Sequence, residues 1–209
     1  FTYLENINHK KTLIEKVNAQ TEILSGKDEL HNLLNDPNVD VIISAISGFS
    51  GLETTLMAVK TGKIILLANK ESIVVAGDII LPLAKEFNTK VIPIDSEHNA
   101  IFQCLVGEKA KEDVSKIIIT ASGGPFVNKS LNQLGMVTKE QALKHPNWEM
   151  GSKISIDSAT LVNKCLELIE AKYLFDLNEK LFKLVVHPQS IVHSIVTYVD
   201  GSSICQMSN

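Results

Sequence analysis

Along the first half of the chain, short apolar runs rich in β-branched residues alternate with segments whose apolar positions recur at helical spacing. The runs predict strands at Val39–Ile46, Lys63–Ala68 and Lys90–Ile94, and the segments between them predict helices at Gly51–Thr61 and Glu71–Phe87. Gly62 stands where the first helix should stop, a position that wants positive φ. Strand and helix in alternation build βαβ units on a parallel sheet, so the first half reads as α/β. Further on, a strand at Lys116–Ala121 runs into Ser122-Gly123-Gly124-Pro125. The next stretch is rich in turn formers and holds one weak helical pattern, Lys139–Lys144, which predicts a mobile lid or binding loop. An extended Lys153–Ile156 follows, then a helix over Ser158–Phe175 with Asp157-Ser158 as its N-cap. Strands at Lys183–His187, Ile191–Val199 and Ser202–Met207 complete the pattern, the last two joined by a hairpin turn at Asp200-Gly201.

Composition narrows the function classes. With 209 residues, 44% of them hydrophobic, the chain can bury a sizeable core. A net charge of −4 offers no basic field to draw it to a phosphate backbone, so nucleic acid is not an expected partner. Cys104, Cys165 and Cys205 are odd in number, widely spaced and set in apolar runs, which predicts buried thiols in a reducing compartment and neither disulfides nor zinc. No run approaches the roughly 20 apolar residues that cross a bilayer, so no membrane partner is expected. The opening Phe1-Thr2-Tyr3-Leu4 has neither an initiator Met nor a signal pattern, and the chain stops just after a strand; both ends read as cut from a longer protein.

The sharpest chemical feature is Ile94-Asp95-Ser96-Glu97-His98-Asn99, placed at the carboxyl end of an apolar strand, where open α/β sheets bind ligands. Asp95 and Glu97 are two residues apart, so an extended backbone would point both carboxylates to one side, where Mg²⁺ or Mn²⁺ would relieve their repulsion. The alternative is a polar turn in which Asp95 and Ser96 cap a helix beginning near Glu97. On the helix 158–175, Asn163, Glu167 and Glu170 form a narrow, mostly acidic stripe with Lys164 beside it; a site face and an ordinary exposed stripe both fit that spacing. Lys70, in Leu67-Ala68-Asn69-Lys70-Glu71-Ser72, follows a strand and opens a helix at the same sheet edge as Asp95. A lysine there can meet an anion or a carbonyl, or can face water. Ser122-Gly123-Gly124-Pro125 is either a nest of amides for a phosphate or a plain turn. His145-Pro146-Asn147-Trp148 puts the single Trp in the lid stretch beside a histidine. His9 and His31 sit in polar surroundings and should face water, whereas His98, His187 and His193 flank strand ends and fit core or site.

Taken in order, Leu67 to Ser72, Pro93 to Gln103, Ser122 to Phe126, His145 to Trp148, Ile156-Asp157-Ser158-Ala159-Thr160, Asn163-Lys164 with Glu167, and His187-Pro188-Gln189-Ser190 closely resemble the 1-deoxy-D-xylulose 5-phosphate reductoisomerase family. The likeness covers nearly the whole chain, in seven motifs. It implies an NADPH- and divalent-metal-dependent enzyme that rearranges a deoxypentulose phosphate and reduces the resulting aldehyde to 2-C-methyl-D-erythritol 4-phosphate, in non-mevalonate isoprenoid synthesis. It also implies that Asp95, Glu97 and Glu167 bind Mg²⁺, Mn²⁺ or Co²⁺, and that Ser122, Ser158, Asn163 and Lys164 hold the phosphate. Lys70, Ser96 and His145 would touch the substrate backbone, with Lys70, Glu97, His145 and Glu167 as the catalytic set. By the same likeness Asn69, Glu71 and Gly151 approach the nicotinamide nucleotide, Trp148 and Met150 ride on a substrate-covering lid, and His193 and Glu170 stand in a second tier. The implied organisation is a truncated Rossmann-like domain over 1–94 and a catalytic α/β domain over 95–209, in a homodimer of the bacterial cytoplasm or the plastid stroma.

Two departures stand beside the likeness. No glycine-rich phosphate turn precedes Val39, since Ser47-Gly48-Phe49-Ser50-Gly51 lies in a later βα loop, and the family's C-terminal helical region is missing. The chain by itself is therefore expected neither to bind NADPH tightly nor to turn over. A metal-dependent sugar-phosphate isomerase or aldolase without nucleotide, and a non-catalytic sugar-phosphate-binding module, are the competing readings.

Overall fold

The computed structural model describes residues 2–4, 10–105 and 111–208; His9 lies outside them. The order is β1 (Thr2–Leu4), α1 (Lys10–Ile14), β2 (Ile23–Ser25), α2 (Lys27–Asn35), β3 (Val41–Ser44), α3 (Gly51–Val59), β4 (Ile64–Leu67), α4 (Lys70–Glu86), β5 (Lys90–Pro93) and α5 (Ser96–Cys104). It continues with β6 (Val114–Ala121), α6 (Leu131–Leu134), α7 (Lys139–Ala142), α8 (Ser152–Ala159), α9 (Val162–Phe175), β7 (Phe182–Val186), β8 (Val192–Tyr198) and β9 (Ser203–Met207).

The chain is α/β. Its strands form three sheets: a parallel pair β1–β2, a parallel three-stranded sheet β3–β4–β5 and a mixed four-stranded sheet ordered β7–β6–β8–β9. In the second sheet Leu67 of β4 lies opposite Pro93 of β5, so the two strands end side by side and release Lys70 and Asp95 from adjacent carboxyl ends. In the third, parallel pairing sets Ala121 of β6 opposite Val186 of β7, and the Ser122 turn leaves next to His187.

Two cores hold these sheets. Ile65 and Leu67 of β4 pack with Ile73 and Ile80 of α4 and Val59 of α3, all fully buried. Ile117 and Ile119 of β6 pack with Ile101 of α5, Ala171 and Phe175 of α9, and Val196 of β8. Each such aliphatic side chain contributes roughly 1.5–3 kcal/mol on burial. Helix α4 bends at Ala76, whose φ is −139°, and the next residue, Gly77, faces α9. A Cβ on Gly77 would lie 2.7 Å from the Tyr173 ring, so the two helices approach this closely because that position carries none. The contact fixes the lysine at the start of α4 against the carboxylates of α9.

Several expectations need correction. Lys153–Ile156 is not extended but lies inside α8: Ile154 and Ile156 mimic strand alternation, while Ser155 is buried and its hydroxyl bonds back to the Gly151 carbonyl, 3.1 Å away. The helix drawn over Ser158–Phe175 is two helices, parted where Leu161 takes φ 61°, and Asp157-Ser158 is the last turn of α8 instead of an N-cap. Only Cys104 is buried; Cys165 and Cys205 are exposed. The lid stretch holds a second short helix, α6, and both α6 and α7 are closed by capping boxes, Ser130 with Gln133 and Thr138 with Gln141. Gly62 has φ +72°, as its place after α3 requires. His31 is exposed as expected. Among the described residues no helix is long and apolar enough to cross a membrane.

Candidate functional site

Asp95 leaves β5 as the N-cap of α5, its side chain accepting the Ser96 amide 3.1 Å away. The backbone is therefore not extended through Glu97, which sits in the first helical turn, yet the carboxylates still converge. Oxygens of Asp95, Glu97 and Glu167 lie within 4.8 Å of one another. Capping and convergence coexist because a carboxylate has two oxygens: Oδ1 caps, while the buried Oδ2 faces Lys70.

Helix α9 delivers the third carboxylate by inverting the usual polarity of a surface helix. Lys164, Glu167 and Glu170 are buried, whereas Val162 and Ile169 are exposed. The acidic stripe thus faces inward, which decides between the two readings of its spacing.

Two ammonium groups offset part of the charge of the three carboxylates. Lys70 Nζ lies 2.6 Å from Asp95 Oδ2, 3.2 Å from Glu167 Oε1 and 3.0 Å from Asn163 Oδ1. Lys164 Nζ lies 2.7 Å from Glu97 Oε1 and also contacts Glu167. Burial alone would lower both lysine pKa values, but the adjacent carboxylates outweigh it and hold both above the ordinary lysine value. Burial pushes Asp95 up, and the His98 and Lys70 contacts overcome it, leaving Asp95 ionised well below the usual range. Glu167 is raised, by burial first and then by the charge of Glu97.

The cleft in front of these groups is walled by Asp95, Ser96, Glu97, Ser122, Gly123, His145, Trp148, Met150, Ile154, Ser158, Leu161, Asn163, Lys164 and Glu167. Gly123 and Gly124 both take positive φ, +83° and +66°, and a Cβ on Gly124 would sit 2.8 Å from the Ser158 carbonyl. Glycine is needed here to bring the Ser122 turn onto the end of α8. The His145 ring fixes its own tautomer: Nδ1 accepts the amides of Asn147 and Trp148, each at 3.2 Å, so Nε2 carries the hydrogen and donates to Ser122 Oγ at 3.0 Å. Ser122 Oγ also accepts the Gly124 amide at 3.2 Å, which leaves its own proton for an incoming acceptor. Trp148 stacks on His145, ring centroids 5.2 Å apart.

The chain has relatives among known proteins over nearly its whole length. Residues 3–77 match the family described as 1-deoxy-D-xylulose 5-phosphate reductoisomerase, and residues 91–175 match its C-terminal domain. The chain is 50% identical, over 98% of its length, to an Acinetobacter baumannii protein named 1-deoxy-D-xylulose 5-phosphate reductoisomerase, and 52% identical, over 95%, to the Clostridium tetani protein of that name. The chain belongs to this reductoisomerase family. A crystal structure of DOX-P reductoisomerase with NADPH, fosmidomycin and magnesium superposes with a TM-score of 0.87 at 47% identity over 97% of this chain. The Zymomonas mobilis reductoisomerase with NADPH gives 0.87 at 43% over 99%. The chain spans about half the length of these relatives, 54% and 52% of the two named proteins.

The cleft gathers eleven of the residues singled out from sequence, Asp95, Ser96, Glu97, Ser122, His145, Trp148, Met150, Ser158, Asn163, Lys164 and Glu167, while Lys70 contacts Asp95 and Glu167 from outside its wall. Asn69, Glu71 and Gly151 lie off to one side. Asn69 bonds the carbonyls of Ile46 and Gly48 at 2.6 and 2.9 Å and caps α4 through Ser72 N, while Glu71 pairs with Lys153 of α8 at 2.6 Å. Nothing lies within 4 Å of a Cβ built on Gly151, the N-cap of α8. His187 turns inward, its Nε2 accepting the amides of Ile191 and Val192 at 3.2 and 3.3 Å, and Asn147 ties the lid stretch to that turn through the Pro188 carbonyl at 3.1 Å. His193 is half-buried within β8. The sequence reading missed Ile154 and Leu161 as cleft residues; the positive φ of Leu161 has no glycine or proline to announce it.

Proposed function

We propose that the protein containing this chain converts 1-deoxy-D-xylulose 5-phosphate to 2-C-methyl-D-erythritol 4-phosphate with NADPH and a divalent metal. Three carboxylates within 4.8 Å at the end of β5, facing a cleft lined with Ser122, Ser158, Asn163 and Lys164, carry this reading. The donor set is all hard oxygen, held close together at the mouth of a cleft, which fits Mg²⁺, Mn²⁺ or Co²⁺. Held by Asp95, Glu97 and Glu167, such an ion would supply Lewis acidity and a template for neighbouring substrate oxygens. Lys164, with the hydroxyls of Ser122 and Ser158 and the amide of Asn163, binds the phosphate. Lys70 and Ser96 orient the carbon backbone, and His145, neutral at Nδ1, offers its Nε2 hydrogen through Ser122. Trp148 and Met150 exclude water from above. NADPH would supply the hydride, and the open space beside Gly151, with Asn69 and Glu71 nearby, fits a nucleotide on that side of the cleft. In this reading residues 1–94 belong to the nucleotide domain and 95–209 to the catalytic domain of a homodimer in the bacterial cytoplasm.

The complete protein, given deoxyxylulose phosphate, NADPH and Mn²⁺, should oxidise one NADPH for each branched polyol phosphate identified by NMR. A rearranged or cleaved sugar phosphate formed without NADPH consumption would favour an isomerase or aldolase instead.

A further inference from the structure

The cleft accounts for Asp95, Glu97 and Glu167 but not for two fully buried side chains behind them, His98 and Glu170. His98 lies one helical turn after Asp95 on α5, and Glu170 one turn after Glu167 on α9. The imidazole Nε2 is 2.8 Å from the main-chain oxygen of Glu167, and because a carbonyl only accepts, Nε2 carries a hydrogen. On the far side of the ring, Nδ1 faces Asp95 Oδ2 at 3.5 Å and Glu170 Oε2 at 3.4 Å, hydrogen-bonded to neither. The Phe175 ring runs parallel to the imidazole, centroids 6.5 Å apart. Both oxygens of Glu170 are shut from solvent without a hydrogen-bond partner. Packing does not explain such a pair, since well-packed apolar residues of similar volume are often more stabilising by about 1–4 kcal/mol.

Resting on the reading of Asp95, Glu97 and Glu167 as ligands, we propose that His98 and Glu170 are positioning residues for the divalent-cation site. One imidazole is anchored to the Glu167 main chain through Nε2 and wedged against the Asp95 carboxylate on its Nδ1 side, where Glu170 closes the space behind it. The brace joins ligands carried by two different helices, so the distance between those ligands is set before a cation arrives. Glu97 is restrained separately, by the Ser194 hydroxyl donating to its main-chain oxygen at 3.0 Å. Groups that orient metal ligands in this way typically account for about 10–100-fold in metal affinity.

The test is the Mn²⁺ dissociation constant of the complete protein, read from the EPR signal of free Mn²⁺, for the parent, Glu170→Gln and His98→Gln, with thermal unfolding recorded in chelator. Glu170→Gln keeps the side chain's size and should bind Mn²⁺ about 10–100-fold more weakly while still unfolding cooperatively. His98→Gln should weaken binding at least as much, and if it fails to fold, Glu170→Gln decides alone. Mn²⁺ affinity in Glu170→Gln within about twofold of a parent that binds the ion overturns the brace and leaves the ligand reading intact. A parent that binds no Mn²⁺ removes both.

Discussion

The ammonium of Lys164 lies 2.7 Å from Oε1 of Glu97, and the same nitrogen contacts Glu167, so one cation spans a carboxylate from α5 and another from α9. A metal bound as proposed would compete with the lysine for the same oxygens, and the stability of the site should depend on which cation is present.

Replacing Lys164 by Met leaves Glu97 and Glu167 facing each other with less compensation. In chelator the variant should lose about 3–5 kcal/mol, the usual result of breaking a buried pair. Mn²⁺ should restore much of that loss by binding the folded state. Thermal unfolding with chelator and with Mn²⁺ checks this: the gap between variant and parent should narrow when the metal is added.

Ser122 accepts from His145 and from the Gly124 amide, which commits its own proton to the substrate side. Ser122→Ala removes one hydrogen bond to a charged group, worth about 1.5–3 kcal/mol. KM for the sugar phosphate should rise by roughly tenfold or more, with kcat changed much less, in steady-state kinetics.

The approach of α4 to α9 gives a stability test free of the chemistry. Gly77→Ala places a methyl 2.7 Å from the Tyr173 ring and should cost about 1–3 kcal/mol by overpacking. At Gly135 the φ is −64° and a Cβ would meet only the Asn132 carbonyl, at 3.7 Å. Gly135→Ala should therefore be neutral or slightly stabilising. Denaturant melts of the two variants should separate clearly.

Burial lowers the pKa of His145, so the folded state favours the neutral ring. Below the ordinary histidine pKa, about 6.5, the unfolded chain then binds more protons, and stability falls as pH drops through that value. His145→Asn should lose this part of the pH dependence. Melts of parent and variant from neutral to mildly acid pH should show the parent's stability falling more steeply.

The strands β3, β4 and β5, the glycine after α3 and the cap at Asp95 were legible because β-branched runs, a positive-φ glycine and capping side chains are local signals. The polar stripe on α9 was legible too, but not the direction it faces: periodicity says which residues share a side, and only tertiary packing says whether that side meets water. Ile154 and Ile156 alternate like a strand, yet the Ser155 contact with Gly151 and the packing of α8 over the cleft override the preference. The break at Leu161 left no trace because leucine carries no local signal for the left-handed backbone it takes there. The pairing of His98 with Glu170 was hidden for the same reason, since it joins separate helices.

The central claim is that Asp95, Glu97 and Glu167 together hold the metal on which the reaction depends. The most direct measurement follows NADPH oxidation by the complete protein with deoxyxylulose phosphate while Mn²⁺ is titrated into a chelator-treated sample, in parallel with Glu167→Gln. Activity that rises from zero and saturates with Mn²⁺ in the parent, and stays absent in the variant at every Mn²⁺ concentration, is the predicted result. Undiminished oxidation in chelator, or a variant as active as the parent, would contradict it.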